Sequence, residues 1–191
     1  MTSSSGRERI LDAAAELFAA QGFAATSTRD IAERAGIKQP SLYAHFRLKS
    51  EILRELLVES LRPAVDFGAT LLTAPEPAVQ RLTALLDHDI HGLFAGRRPV
   101  AVLGLLPEVR GGEFAEAHEL RGRLRDIYTE LVRQVLTEAG HAPSDAYLSR
   151  MAGIVFPLVE SINLRRYEDP SLEADLIVRD TTTAVLRILG V

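Results

Sequence analysis

The chain has 191 residues, 47% of them hydrophobic and 25% charged, which excludes fibrous and long disordered classes and leaves room for a small domain joined to a larger one. Uncharged runs such as Pro99 to Pro107 and Met151 to Val159 fall well short of the roughly 18 apolar residues of a membrane span, and the absence of cysteine excludes disulfides and thiolate metal sites. The net charge of −4 is divided unevenly: the first fifty residues carry +2 and the remainder −6, so one end is suited to a polyanion and the body to something else.

Met1-Thr2-Ser3-Ser4-Ser5-Gly6 leads directly into Arg7-Glu8-Arg9 without the apolar core of a secretion signal, so a cytoplasmic protein is expected. Ile10, Ala14, Leu17, Phe18 and Gln21 share one stripe of a 3.6-residue period, which predicts a first helix over 7–21, ended by Gly22. Thr26-Ser27-Thr28 offers hydroxyl acceptors, and Asp30 stands three residues after Ser27, a capping arrangement that starts a second helix running to about Ala35. Gly36 breaks it, and a short third helix is expected from Gln39 to Phe46, with Pro40 tolerated in the first turn. Ile52, Leu53, Leu56, Leu57 and Leu61 form a fourth amphipathic helix, which Pro63 should disturb.

Thr73-Ala74-Pro75-Glu76-Pro77 is the clearest break in the chain. Beyond it Leu82, Leu85, Leu86, Ile90 and Leu93 make one helical stripe, and Ala117, Leu120, Leu124, Ile127, Tyr128, Leu131 and Val135 a longer one. Two last helices are expected over 144–167 and 171–189, separated by Asp169-Pro170. No period-2 run of β-branched residues appears, so the fold class is all-α, with about nine helices. The expected division is 1–48 for an N-terminal three-helix domain, 49–77 for a connecting helix and linker, and 78–191 for a larger helical domain.

Thr28 to Phe46 carries the most information. Ile31 and Ala32 face inward from the second helix, Gly36 makes the turn, and Ile37 and Leu42 plug the angle between two closely crossing helices. That spacing describes a helix-turn-helix. The other face of its second helix shows Gln39, Ser41, Tyr43 and His45, groups able to hydrogen-bond bases and phosphates.

Thr26-Ser27-Thr28-Arg29-Asp30-Ile31-Ala32-Glu33-Arg34-Ala35-Gly36, followed by Ser41-Leu42-Tyr43-Ala44-His45-Phe46 and Lys49, resembles the TetR family of bacterial repressors over about Ile10 to Leu57. The resemblance implies that Arg29 forks onto guanine O6 and N7, that Gln39 pairs with adenine N6 and N7, and that Pro40 meets a thymine methyl. It also implies that Thr28, Tyr43, His45 and Lys49 hold phosphates. Ser41 lies on the same face. Lys38 and Leu48 stand where many relatives have small polar caps; each missing cap is expected to cost about 1 kcal/mol of local helix stability, and Lys38 is expected to add phosphate affinity instead.

The larger domain is expected to hold ligand and to dimerise. Met151 to Val159 is apolar nearly all round its helix, and Leu172, Leu176, Ile177, Ala184, Val185 and Ile188 stripe the last one, a pattern that a two-fold homodimer through a four-helix bundle explains. His88, His91, Glu160 and Asn163 are polar groups flanked by core positions and are the candidate ligand handles in a mostly apolar pocket. A small hydrophobic or amphipathic effector is expected, with double-stranded operator DNA and a second copy of the chain as partners. His88 and His91 share a helix face, but no third metal ligand is identifiable. No nucleophile elbow, phosphate-cradling loop or dinucleotide fingerprint occurs, so no catalytic residue, metal or cofactor is expected. The reading is therefore a ligand-responsive DNA-binding regulator, most simply a repressor. The alternative is a helical small-molecule-binding or scaffold protein that does not read DNA.

Overall fold

The computed structural model describes residues 5–95, 103–104 and 107–191. Within them lie eight α-helices, against the nine expected, and no strand. The uncharged run Pro99 to Pro107 and the tail Met1 to Ser4 lie largely outside the described residues. No helix among the described residues is long and apolar enough to cross a membrane.

The helices are α1 (Gly6–Gln21), α2 (Thr28–Arg34), α3 (Gln39–Tyr43), α4 (Lys49–Leu71), α5 (Ala78–Ala95), α6 (Ala115–Glu138), α7 (Asp145–Glu168) and α8 (Ala174–Leu189). They group into two compact units, one from residues 1–60 and 96–118, the other from 61–95 and 119–191.

In the first unit α1, α2, α3 and the start of α4 enclose Ile10, Leu11, Phe18, Ile31, Leu42, Phe46, Ile52, Leu53 and Leu56. Ser27 opens α2 as expected: its hydroxyl accepts from the Asp30 amide at 3.1 Å, and the Asp30 carboxylate accepts from the Ser27 amide at 2.9 Å. The end of α2 depends on Gly36, whose φ of +65° is one that L side chains rarely adopt. With Gly36 left-handed, its amide donates to Glu33 O at 3.1 Å and the Ile37 amide to Ala32 O at 3.0 Å, the paired bonds that close a helix C-terminus tightly enough for α3 to follow at once. Leu103, Val109 and Phe114, between α5 and α6, and Ala117 of α6 are buried in the core of this unit too.

In the second unit α8 lies along α5, and α7 packs on both. Arg81, buried, closes one end of it: Nη1 donates to Leu71 O at 3.0 Å, to Leu72 O at 3.2 Å and to Gln134 Oε1 at 2.6 Å. The α4 C-terminal carbonyls, which have no intrahelical partner, thereby gain a charged donor.

Three boundaries differ from the sequence reading. Pro63 does not interrupt α4; one backbone bond is lost, and the buried Ala64 and Val65 that follow give the helix reason to continue. Helix α3 ends at Tyr43 rather than Phe46, because the His45 and Phe46 amides both turn back onto Leu42 O at 2.9 Å and carry Phe46 into the core. Helix α8 starts at Ala174 rather than 171, since Ser171 closes a turn with its amide donating to the Asp169 carboxylate at 3.0 Å.

Candidate nucleic-acid interface

The exposed edge of the first unit is built where the N-terminus of α2 meets α3. Ser27 ends the preceding loop, so Thr28 is the first helical residue of α2 and Arg29 follows it, exposed. Pro40 in the first turn of α3 and Leu42 buried beneath it hold that helix by one side only. Lys38, Pro40, Ser41, Tyr43 and His45 are exposed, and Gln39 is half-buried.

Three of these side chains form a chain of hydrogen bonds across the two helices. Gln39 Nε2 donates to Thr28 Oγ1 at 3.2 Å, and Thr28 Oγ1 lies 3.0 Å from Tyr43 Oη. The Tyr43 ring remains 48% exposed, so its hydroxyl keeps a free side for a further partner. Gln39 uses one amide proton internally and retains its carbonyl oxygen and second proton, the acceptor and donor pair that matches adenine N6 and N7.

The cations sort by what already holds them. Arg34 pairs with Glu16 and Arg7 with Glu55, which ties α2 to α1 and α1 to α4. Among the described residues neither Arg29 nor Lys38 is ion-paired, and these two flank the Gln39 edge. Lys49 is turned inward: its ammonium donates to Phe23 O and Thr26 O, both at 2.5 Å, and sits 4.2 Å from the centre of the Phe23 ring. Burial lowers its pKa, while the facing Glu108 and Asp30 act the other way. Two of its three protons thus clamp the turn between α1 and α2. Lys38 caps α3 with no side-chain bond. Leu48 likewise offers no side-chain cap to α4, while the Glu51 carboxylate accepts from the Arg47 amide at 2.8 Å and the Leu48 amide at 3.3 Å, just before the helix.

The four ligand candidates of the second unit do not converge. His88 and His91 line a groove of about 700 Å³ with Phe67, Val79, Thr83 and Asp87, where the His88 ring stacks on Phe67 at 4.2 Å. His91 Nδ1 meets Asp87 O and Nε2 meets Asp175 Oδ1, each at 2.9 Å. Both partners are acceptors, so the protonated ring is the form that satisfies both bonds, and the Asp175 bond in particular raises the His91 pKa. Glu160 belongs elsewhere: its carboxylate accepts two bonds of 2.6 Å from Arg121, which lies over Phe156. Asn163, half-buried on α7, is outside the groove lining. Asp89 was not among the candidates. Burial raises its carboxyl to about 6, partly countered by the bond from Tyr128 Oη at 3.0 Å. Its signal was a carboxylate set three residues after Leu86 and four before Leu93, on the apolar stripe itself. Among the described residues no group of three or more His, Asp and Glu side chains could hold a metal ion.

Two helices locked at a left-handed glycine, with a polar face held clear of the core, define a helix-turn-helix DNA-binding protein. Residues 10–56 match the family model for bacterial regulatory proteins of the tetR family. The crystal structure of AmtR from Mycobacterium smegmatis superposes with a TM-score of 0.90 and 37% identity, covering 100% of this chain and 89% of that one. Two repressors named KstR2 are similar over shorter stretches: that of Rhodococcus jostii is 50% identical over 96 residues, half of this chain and 47% of its own. That of Mycolicibacterium smegmatis is 37% identical over 81 residues, 42% of this chain and 40% of its own. The matched stretch thus spans less than half the length of these curated relatives. The chain belongs to the TetR family of bacterial transcriptional regulators.

Proposed function

We propose that the protein is a repressor that binds a near-palindromic operator as a homodimer and releases it when a small hydrophobic or amphipathic molecule binds the second unit. The observation that carries this reading is the polar face of α3, on which Gln39 keeps a donor and an acceptor free beside the exposed charges of Arg29 and Lys38. Arg29, Gln39 and Pro40 read base edges, and Lys38, Ser41, Tyr43 and His45 take phosphates. Lys49 positions α2 through its two carbonyl bonds, with its third proton left for a phosphate. Residues 1–48 are the DNA-binding domain in this reading, 49–77 the connection, and 78–191 the part that dimerises and holds effector.

The dimer is supported by the unpartnered side of α7 and α8, where Ile154, Leu164, Leu176 and Ile188 are all 38–45% exposed; a second copy covers such a face with little polar cost. The groove beside His88 and His91 is the candidate effector site. Its effect on DNA travels along α4, which begins at Lys49 and ends at Leu71. A tenfold release of DNA requires about 1.4 kcal/mol of ligand preference for the non-binding state, and operator DNA must then weaken ligand binding tenfold. A cytoplasmic location and the absence of catalysis are part of the same proposal. The test is selection of bound sequences from random duplex DNA by the full-length protein, followed by a screen for small molecules that release them. A two-fold symmetric motif supports the reading; binding that ignores sequence refutes it.

A further inference from the structure

We infer that Tyr43 and Thr28 set which base Gln39 accepts, by fixing the direction of the hydrogen bonds that run from the phosphate backbone to the Gln39 amide. The inference rests on the reading above, in which Tyr43 takes a phosphate and Gln39 a base. In the free protein the bond between Thr28 Oγ1 and Tyr43 Oη, 3.0 Å long, can run either way. A phosphate oxygen can only accept. Once Tyr43 donates its single proton to phosphate, it can only accept from Thr28. Thr28 then has no proton left and can only accept from Gln39, which must present Nε2, as it does at 3.2 Å. The Gln39 carbonyl oxygen and its second Nε2 proton are thereby directed outward.

An acceptor beside a donor fits adenine, which offers N6–H and N7. If the amide turned over, Thr28 would have to donate to the Gln39 oxygen, and two Nε2 protons would face the groove. That pattern fits guanine, whose O6 and N7 both accept. A residue on the phosphate backbone therefore excludes guanine at a base it does not touch. Thr28 is a positioning residue here, since its one hydroxyl proton is directed to Tyr43 and is not available to a phosphate.

The test measures affinity of the full-length protein for four duplexes of its selected operator that differ only at the Gln39 base pair of each half-site. Tyr43→Phe leaves Thr28 free to donate to a turned amide, and Thr28→Val removes the anchor altogether. Either substitution should reduce the adenine-over-guanine preference several-fold, whereas Thr28→Ser should retain it. The double variant should be no less selective than the singles. His45→Ala, which removes only a phosphate contact, should weaken all four duplexes by one common factor. If Tyr43→Phe and Thr28→Val also act by a common factor while Gln39→Ala abolishes the preference, the inference is overturned and the placement of Gln39 stands. If Gln39→Ala leaves the preference intact, that placement fails and the inference with it. Thermal melting of each variant checks that the fold is retained.

Discussion

Replacing Asp89 with Asn should stabilise the protein, and by an amount that depends on pH. Asp89 is half-buried in the second unit with Tyr128 Oη as its hydrogen-bond donor, and its carboxyl is pushed up to about 6 from the ordinary 3.8. Burial is the main cause, and the nearby Glu160 adds to it. A carboxyl whose pKa is raised on folding binds more protons folded than unfolded, so stability falls as pH rises through the interval between the two values. Well below 3.8 both states are protonated and the group contributes nothing. Above about 6 the folded protein holds an ionised carboxylate at a cost of about 3 kcal/mol, taking about 1.4 kcal/mol per pKa unit. Asn keeps an oxygen for Tyr128 and never ionises. Asp89→Asn should therefore raise the unfolding free energy by about 3 kcal/mol at pH 8 and by roughly half that at pH 5. Urea denaturation of both proteins at fixed concentration across this range measures the difference, with concentration held because a dimer's stability depends on it. Equal gains at pH 5 and pH 8, or a loss at pH 8, would show that Asp89 is not destabilised in its ionised form.

Lys49→Met should cost about 1 to 3 kcal/mol in the same denaturation assay, because the Phe23 and Thr26 carbonyls lose a charged donor; it should also weaken binding to every DNA sequence alike. Phe114→Ala should cost about 3 to 5 kcal/mol, since the ring is 1% exposed in the core of the first unit, and proteolysis should show that unit opening first. His91 has a raised pKa through its bond to Asp175, so its contribution to stability is complete below the ordinary histidine value of 6.5 and is lost as pH rises through the higher folded value. NMR titration of His91 should move toward 6.5 in Asp175→Asn, and an unchanged titration would remove that bond from the account.

The elements that sequence could reveal are those set by local chemistry. Ser27 and Asp30 announce the start of α2 because their reciprocal bonds span three residues, and Gly36 announces its end because few other residues adopt the required φ. The exposed face of α3 is legible for the same reason: Pro40 and Leu42 define which side is held. What sequence could not show depends on distant partners. Nothing local in Leu103, Val109 and Phe114 says that they complete the core around Ile10 and Leu53. Nothing local in Lys49 says that two of its protons go to the Phe23 and Thr26 carbonyls, more than twenty positions away. Glu160 reads as a free ligand handle until Arg121 is placed against it. The continuity of α4 through Pro63 is likewise a matter of packing: the burial of Ala64 and Val65 outweighs one lost backbone bond.

In the proposed function, two copies of this chain read a symmetric DNA sequence through Arg29 and Gln39. The direct measurement is the affinity of the full-length protein for its selected duplex and for a scrambled one, each over a range of salt concentrations, with Gln39→Ala alongside. If two subunits neutralise roughly 6 to 8 phosphates, log affinity should fall against log salt with a slope of about −5 to −7 on both duplexes. On the selected duplex alone, Gln39→Ala should cost about 1 to 3 kcal/mol and relax one base pair in each half-site. Equal affinity for the scrambled duplex, or a selected motif unchanged by Gln39→Ala, would contradict the account.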